Sequence, residues 1–249
     1  MSKIAILSDI HGNLPALEKV IADMQARAVQ RVFCLGDLIS GPLWARETLE
    51  FLMRQNWTFI RGNHDRNLVE RSPETMAKSD AQAFQSLEKR HLEWLAALPA
   101  TLEVDETFLL CHGSPTNDRS YLLETIENGR VRLSSPAEIK SSLGEVCLPL
   151  VLCGHSHMPR HICLEDGPTL INPGSVGLPA YDDDSQGYFV VENGSPHARY
   201  AVIEQTPAGW KTEIILVPYD HEKAAAKARA MQRPDYVVGL LTGYMFQPE

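Results

Sequence analysis

Short apolar runs alternate with helical patterns over the first sixty residues of the chain. Residues 3–8, 32–35 and 57–60 are almost continuously apolar, as expected for strands that are covered on both faces. Apolar residues recur at helical spacing between Leu14 and Ala28, and a second helix is predicted over residues 43–53. This order predicts parallel strands joined by helical crossovers, β-α-β-α-β.

Two later segments interrupt this rhythm and read as insertions. Residues 66–98 have a helical pattern, and residues 114–147 are polar and lean towards helix, so both are expected to be helical insertions. The second is predicted to form an insertion or lid over the site.

The remaining strands predict a second sheet. Residues 102–104 and 107–111 fit a hairpin that turns at Asp105-Glu106, and residues 149–153 form another buried strand. Further strand-like runs, which suggest a second, more antiparallel sheet packed on the first, occupy residues 169–171, 188–192, 199–204 and 211–217. A helix is predicted at 221–231. No repeat or linker is visible, so residues 1–249 are expected to form a single α/β domain.

Composition narrows the class of protein. A net charge of −9 argues against a basic nucleic-acid-binding face. The N-terminus has no signal-peptide pattern and no apolar stretch is long enough to span a bilayer, so we expect a cytoplasmic protein that does not bind membranes. The five cysteines form no CxxC pair and are expected to be reduced core residues.

Polar side chains that bind metal ions follow the predicted strands. The set is Asp9, His11, Asp37, Asn63, His64, His112, His155 and His157. Ligands gather outside the carboxyl ends of strands in open α/β sheets, so these side chains are expected to converge. Carboxylate, amide and imidazole groups without thiolate favour manganese, iron or zinc. The set offers more ligands than one ion normally takes, whereas two ions that share a carboxylate would use them.

Five short motifs carry these residues in a fixed order. They are Asp9-x-His11, Gly36-Asp37, Gly62-Asn63-His64-Asp65, His112-Gly113 and Gly154-His155-x-His157. The order resembles the calcineurin-like metallophosphoesterase superfamily, and Asn172-Pro173-Gly174-Ser175 resembles an extra motif of its small bacterial and archaeal phosphodiesterase branch. The resemblance implies a four-layer αββα sandwich, in which two mixed sheets pack face to face with helices outside.

The resemblance also implies a role for each residue. Two divalent ions are expected, with manganese favoured and iron, zinc, nickel or magnesium as alternatives. One ion would be held by Asp9, His11 and His157, the second by Asn63, His112 and His155, with Asp37 bridging the two. His64 would face the phosphate as general acid or as stabiliser of developing charge, and Asp65 would orient its imidazole.

The implied reaction is hydrolysis of a phosphoester. Two ions about 3.5–4 Å apart neutralise the phosphoryl oxygens and bridge a hydroxide that attacks phosphorus in line. The leaving alkoxide needs a proton, and an imidazole with an ordinary pKa of about 6.5 can supply it.

Several alternatives stay open for the substrate and function. The absence of Asp-Arg-Gly after Gly36 argues against phosphoprotein substrates, and His112-Gly113-Ser114-Pro115 with Asp118 and Tyr121 favours small, nucleotide-like phosphodiesters. A symmetrical dinucleoside-polyphosphate hydrolase or a phosphomonoesterase is the alternative. Another class is a non-catalytic scaffold, as in a retromer subunit that resembles this fold but lacks the catalytic histidine. A homo-oligomer also stays open.

Two further segments have competing interpretations. Residues 172–177 fit either a tight turn or a glycine-rich approach to a phosphate. Asp182-Asp183-Asp184 fits a solvated acidic loop better than a further cation site. The histidines at 91, 161, 197 and 221 lie outside the motifs and are expected to be surface or structural residues.

Overall fold

The first sheet contains the predicted β-α-β-α-β unit. In the computed structural model, which describes residues 3–245, its strand order is β14-β13-β1-β2-β3. The strands are β1 (Lys3–Leu7), β2 (Arg31–Cys34), β3 (Thr58–Phe59), β13 (Ala198–Thr206) and β14 (Gly209–Val217). β1, β2 and β3 are parallel and are joined by α1 (Leu14–Ala26) and α2 (Ala45–Leu52), so this prediction is confirmed.

The second sheet has five strands in the order β4-β5-β8-β10-β9. They are β4 (Thr101–Val104), β5 (Phe108–Cys111), β8 (Leu150–Leu152), β9 (Arg160–Cys163) and β10 (Thr169–Asn172). The predicted hairpin between β4 and β5 is confirmed, and its turn residues Asp105 and Glu106 have φ of 54° and 50°. Positive φ at both central residues is the geometry of the type I′ turn, which matches strand twist.

Alternating side chains of the two sheets form three apolar layers, one between the sheets and one on the outer face of each sheet. Ile6 and Phe33 from the first sheet and Leu110, Leu152 and Ile171 from the second are fully buried between the sheets. Side chains on the other face of the first sheet pack on α1 and α2, and those on the other face of the second sheet pack on α6 (Pro136–Leu143). The four-layer αββα fold class is therefore confirmed.

The segment 66–98 is helical, as predicted. It contains a single 3-10 turn at Pro73–Thr75 and three helices, α3 (Asn63–Glu70), α4 (Lys78–Phe84) and α5 (Lys89–Ala97). α3 begins directly after β3, so the residues that follow the strand become the first turn of a helix. This matters for the site, because it fixes the direction of every side chain between 63 and 67.

The prediction of a helical 114–147 segment was wrong for its central part. Residues 124–133 form a hairpin of β6 (Glu124–Glu127) and β7 (Arg130–Leu133), and only α6 is helical. The hairpin turns at Asn128-Gly129, with φ of 53° and 73°. Asn-Gly between strands is the strongest short hairpin signal in a sequence, so the turn could have been recognised. The polar residues on both sides of it hid the strand pattern.

Of the strand-like runs assigned to the second sheet, 169–171 joins it as β10, but the runs from residue 188 onward do not, contrary to prediction. β13 pairs antiparallel with β1, for example Ile6 opposite Ala201, and β14 follows at the edge. β12 (Phe189–Glu192) instead joins β7, β6 and β11 (Ala180–Asp183) in an additional four-stranded sheet. Ala201 and Ile203 face the core between the main sheets, which explains this pairing, but the partner strand lies about 200 residues away in sequence and no local pattern identifies it.

Two helices complete the described chain. α7 (His221–Ala230) confirms the predicted helix, and α8 (Pro234–Thr242) was not predicted. α8 packs on α7 and on β11, which brings the C-terminal part of the described chain to the additional sheet. No helix within residues 3–245 is long and apolar enough to cross a membrane.

Candidate metal centre

Five loops bring the predicted residues together at the carboxyl ends of β1, β2, β3, β5 and β8. The loops are cross-linked by backbone hydrogen bonds: Asp9 N–H donates to the Gly36 carbonyl, His11 N–H to the Asp37 carbonyl and Gly154 N–H to the His112 carbonyl, at 3.0, 3.0 and 2.7 Å. Both sheets therefore contribute to one site, as the strand-end argument predicts.

Five of the seven predicted ligands have left-handed backbone conformations. Their φ values lie between 48° and 66°, at Asp9, His11, Asp37, His155 and His157. Each such conformation costs a non-glycine residue about 1–2 kcal/mol. Strain of this kind persists where surrounding hydrogen bonds impose it, and it clusters at functional sites. The backbone thus turns these side chains inward at an energetic cost.

The first cluster contains Asp9, His11 and His157, whose potential ligand atoms all lie within 4.8 Å of one another. Each histidine donates its Nδ1–H to a backbone carbonyl, His11 to Ser40 at 2.9 Å and His157 to Leu178 at 2.6 Å. In the tautomer with the proton on Nδ1, each ring presents an Nε2 lone pair, and these two nitrogens are only 3.2 Å apart. Asp9 Oδ1 is buried without a hydrogen bond and lies 3.2 Å from the Nε2 of His157.

The second cluster contains Asp37, His112 and His155, again within 4.8 Å. His112 donates its Nδ1–H to the Leu35 carbonyl at 2.7 Å, and its Nε2 lies 3.1 Å from both Asp37 Oδ2 and Asn63 Oδ1. His155 is oriented differently, because its Nε2 contacts the Arg119 carbonyl at 3.1 Å and leaves Nδ1 as the ligand atom. Asn63 thereby joins the cluster through its amide oxygen.

These contacts fit divalent cations. Two facing lone pairs, and a buried carboxylate oxygen without a donor, repel one another unless a positive charge lies between them. The donor set has nitrogen and oxygen only, so it suits the borderline and harder divalent ions. The two clusters provide two candidate metal sites.

The pKa values of the cluster residues also favour metal binding. Burial and the neighbouring His157 lower the pKa of His11 to about 4, and burial and His112 lower the pKa of His155 to about 3, so both rings are neutral and free to coordinate. Burial opposes ionisation of Asp9, yet His157 outweighs it and lowers the pKa of Asp9 to about 2. Burial would lower the pKa of His112, but Asp37 outweighs it and raises it to about 10. A cation at the second cluster therefore competes with the His112 proton.

His64 lies beside both clusters and belongs to neither. It stands in the first turn of α3, its side chain is 28 % exposed, and its ring is 5.7 Å from that of His11. Its Nδ1–H donates to Asp80 Oδ1 at 2.6 Å. Burial lowers the pKa of His64, but Asp37 and the hydrogen-bonded Asp80 outweigh burial and raise it to about 9. The ring is therefore a protonated acid near neutral pH.

The predicted role of Asp65 was wrong. Its carboxylate accepts backbone N–H groups from Gly62, Asp37 and Leu38 at 2.9, 2.8 and 3.0 Å, and among residues 3–245 it has no hydrogen bond with His64. Asp65 is the third residue of α3 and caps the helix start, and consecutive helical side chains point in different directions. It holds the Asp37 loop against α3 instead.

Asp80 takes the place that sequence reasoning assigned to Asp65. This residue of α4 is fully buried, and it also accepts hydrogen bonds from Ser40 Oγ at 2.6 Å and Asn67 Nδ2 at 3.0 Å. Burial opposes its ionisation, yet His64, Ser40 and Asn67 lower its pKa below the ordinary value. No motif or periodicity marked Asp80, because it lies 16 residues from His64 in a polar helix.

Replacing Asp80 by asparagine tests this contact. We expect kcat to fall about 10- to 100-fold with unchanged metal content, because the imidazole loses its orienting anion. Asp80 raises the pKa of His64, so its removal lowers that pKa, and activity that needs protonated His64 should be lost at lower pH. A pH–rate profile with Asp184→Asn as exposed control checks this, and an unshifted alkaline limb would contradict it.

The 172–177 segment forms hydrogen bonds with the backbone of two loops that carry candidate metal ligands. Asn172 donates to the Gly154 carbonyl at 2.9 Å, and Ser175 Oγ donates to the Asp9 carbonyl at 2.8 Å; both residues are buried. A Cβ at Gly177 would stand 1.7 Å from the Ile10 carbonyl oxygen, so only glycine fits there. The segment is thus a turn that holds the backbone of two ligand loops. Its glycine allows close approach to the Ile10 backbone.

A cavity of about 560 Å³ opens over the two clusters and His64. Its walls carry three arginines and three tyrosines, namely Arg71, Arg119, Arg233, Tyr121, Tyr181 and Tyr236. Asp182 and Asp184 line the cavity and are exposed, as predicted for a solvated acidic segment, but Asp182 and Asp183 belong to strand β11 and not to a loop. Residues of the additional sheet and of α8 line the cavity together with residues of α3 and α4, and Tyr236 of α8 donates to Ser79 of α4 at 3.2 Å.

Comparisons with known proteins agree with this geometry. A family model described as "Calcineurin-like phosphoesterase superfamily domain" matches residues 2–195. The chain is 26 % identical to the uncharacterized protein MJ0912 of Methanocaldococcus jannaschii, over 95 % of this chain and 96 % of that protein.

Solved structures have the same architecture over nearly the whole chain. A metallophosphoesterase from Sphaerobacter thermophilus is 26 % identical, with a TM-score of 0.74 and coverage of 97 % of this chain and 100 % of that one. A hypothetical protein, PH1004, from Pyrococcus horikoshii OT3 is 18 % identical, with a TM-score of 0.76 and coverage of 99 % and 100 %. The second likeness concerns the fold alone.

Proposed function

Because the chain belongs to the calcineurin-like phosphoesterase superfamily and is a phosphoric ester hydrolase, we propose that it hydrolyses small, nucleotide-like phosphodiesters with two divalent ions and with His64 as general acid. The observation that carries this proposal is the His64–Asp80 pair at 2.6 Å, beside two clusters of metal-ligand side chains in one cavity.

The ligand assignment is part of the proposal. Asp9, His11 and His157 would hold one ion, Asn63, His112 and His155 would hold the other, and Asp37 would serve both. When bound, two such ions neutralise phosphoryl oxygens and lower the pKa of water, which supplies the nucleophile. Imidazole, carboxylate and amide ligands without thiolate fit manganese, iron or zinc, and manganese is the metal that we propose.

His64 completes the reaction on the leaving-group side. Its Nδ1–H stays with Asp80, so its second proton, on Nε2, is available to the cavity. Transfer of that proton to the departing oxygen gives an alcohol and leaves a neutral imidazole, which Asp80 and Ser40 still hold in place. This acid matters most for an alkoxide, which is a poor leaving group without a proton.

The cavity supports a diester of nucleotide size. A volume of about 560 Å³ exceeds what a phosphoryl group alone needs, and the tyrosine side chains of the wall offer stacking to the arms of a diester. A binding scaffold would need neither a charged His64 nor five candidate ligand residues in strained backbone conformations. All five cysteines are free thiols, but only Cys34, Cys111 and Cys153 are buried, so the prediction of core residues is wrong for the exposed Cys147 and Cys163.

The test is turnover by the purified protein. We expect hydrolysis of bis-p-nitrophenyl phosphate with Mn²⁺, loss of activity after treatment with a chelator, and recovery on adding Mn²⁺ back. The diester should be turned over with a higher kcat/KM than p-nitrophenyl phosphate, and dinucleotides faster than dinucleoside tetraphosphates. Folded, metal-loaded protein that hydrolyses none of these would contradict an esterase and support a scaffold. A preference for the tetraphosphate or the monoester would overturn the substrate class alone.

A further inference from the structure

We propose that Arg119 binds a non-bridging phosphoryl oxygen of the substrate through its guanidinium group. This inference rests on the proposed function, because it names a residue that would recognise the phosphodiester in the same cavity. The support comes from the fixed backbone of Arg119, from its lack of an anionic partner, and from its connection to His64.

The backbone of Arg119 is held on both sides. Its N–H donates to Asn117 Oδ1 at 2.9 Å, and its carbonyl accepts the Nε2–H of His155 at 3.1 Å. The preceding residue, Asp118, forms a two-point ion pair with Arg66 at 2.6 and 3.0 Å. Since the loop is anchored to α3 and to a metal-ligand side chain, the Arg119 side chain starts from a defined position at the wall of the cavity.

The guanidinium of Arg119 has donors to spare. Its Nη2 donates to Asn67 Oδ1 at 3.3 Å, and Asn67 is a neutral partner. Within residues 3–245, Arg119 forms no ion pair with a carboxylate. Arg233, another cation of this cavity, is by contrast buried and paired with Asp235 at 2.6 Å. An uncompensated guanidinium with five N–H donors suits a bidentate contact with phosphate oxygens.

A chain of hydrogen bonds joins Arg119 to the proposed acid. Asn67 accepts from Arg119 through its oxygen and donates through its nitrogen to Asp80 Oδ2 at 3.0 Å, while Asp80 Oδ1 accepts from His64. The amide of Asn67 is thus oriented by a cation on one side and an anion on the other. This chain connects the guanidinium to His64, and the backbone carbonyl of Arg119 contacts His155 of the second cluster.

The side chain can be removed without disturbing the metal ligands. His155 contacts the backbone carbonyl of Arg119, which Arg119→Ala retains. Arg119→Lys keeps the positive charge and removes the planar fork. Arg71→Ala is the matched control, because Arg71 is an exposed arginine on the wall of the same cavity and has no side-chain hydrogen bond to site residues within the described chain.

The experiment uses the Mn²⁺-loaded, full-length protein and two measurements. In Arg119→Ala we expect kcat/KM for bis-p-nitrophenyl phosphate to fall about 10- to 100-fold, mostly through KM, as for loss of a charge-assisted hydrogen bond. The dissociation constant of inorganic phosphate, measured by titration calorimetry, should rise by a similar factor with two ions per chain retained. Arg119→Lys should be intermediate, and Arg71→Ala should change either value less than threefold.

The outcomes separate this inference from the proposed function. Equal losses in Arg119→Ala and Arg71→Ala would overturn it, because they would reflect general charge and not contact. Unchanged diester turnover and phosphate affinity in Arg119→Ala would also overturn it while the phosphodiesterase function stands. Weaker phosphate binding in Arg119→Ala, in a protein whose wild type hydrolyses no diester, would support Arg119 as a phosphate ligand and refute the proposed reaction.

Discussion

Replacing His64 by alanine is expected to lower kcat by about 10²- to 10⁴-fold for a diester with an alkoxide leaving group, the range that a positioned general acid supplies. Metal content should stay at two ions per chain, because His64 lies outside both ligand clusters. The physical reason is the proton on Nε2, which Asp80 keeps in place through its contact with Nδ1 at 2.6 Å.

The leaving group distinguishes an acid from a simple positive charge. Nitrophenolate leaves without a proton, so His64→Ala should lose much less activity on bis-p-nitrophenyl phosphate than on a dinucleotide. His161→Ala is the control, because His161 is an exposed histidine of β9. Equal losses on both substrates would show that His64 stabilises charge on phosphorus and does not donate a proton.

Replacing Asp37 by asparagine is expected to lower kcat by about 10³-fold or more, since a two-ion site provides several kcal/mol of transition-state stabilisation. Asp37 is 1 % exposed, lies 3.1 Å from the Nε2 of His112, and accepts the backbone N–H of His64 at 2.9 Å. An amide has nearly the same shape and no negative charge, so it cannot serve two cations.

Metal analysis decides how this loss arises. Asp37→Asn should bind fewer than two Mn²⁺ per chain in elemental analysis after gel filtration, and excess Mn²⁺ should restore little activity. Asp182→Asn makes the same change of charge at the exposed rim of the same cavity and should keep two ions and near-normal kcat. Two tightly bound ions and normal kcat in Asp37→Asn would show that Asp37 does not bridge them.

The strand-end residues illustrate what a single sequence can reveal. Apolar runs identify parallel strands, and the residues that follow such strands must meet at one edge of the sheet. Asp9, Asp37 and His112 could therefore be grouped before their contacts were known. The left-handed conformations of five of these residues could not be foreseen, because they are imposed by hydrogen bonds between loops distant in sequence.

The errors arose where local patterns were weak or misleading. Asp65 adjoins His64 in sequence, yet the start of α3 directs its carboxylate to the backbone of the Asp37 loop. The Asn128-Gly129 turn of the β6–β7 hairpin is visible in the sequence. The two strands, however, are polar, and β7 pairs with β12, which is remote in sequence. Charged, half-exposed strands carry little periodic signal, so pairing decided their structure.

The sequence by itself determined the β-α-β-α-β unit, the order of the five motifs and the grouping of the candidate ligands, because strand periodicity and strand-end position are local properties. The αββα class followed from the family resemblance that the motifs carry. Only the tertiary structure decided that Asp80 holds His64, that Asp65 does not, and that Arg119 joins the same hydrogen-bond chain. These partners lie on separate helices and loops, and their contacts depend on how α3, α4 and the 114–120 loop pack. Long-range packing places polar side chains without leaving a pattern in the chain.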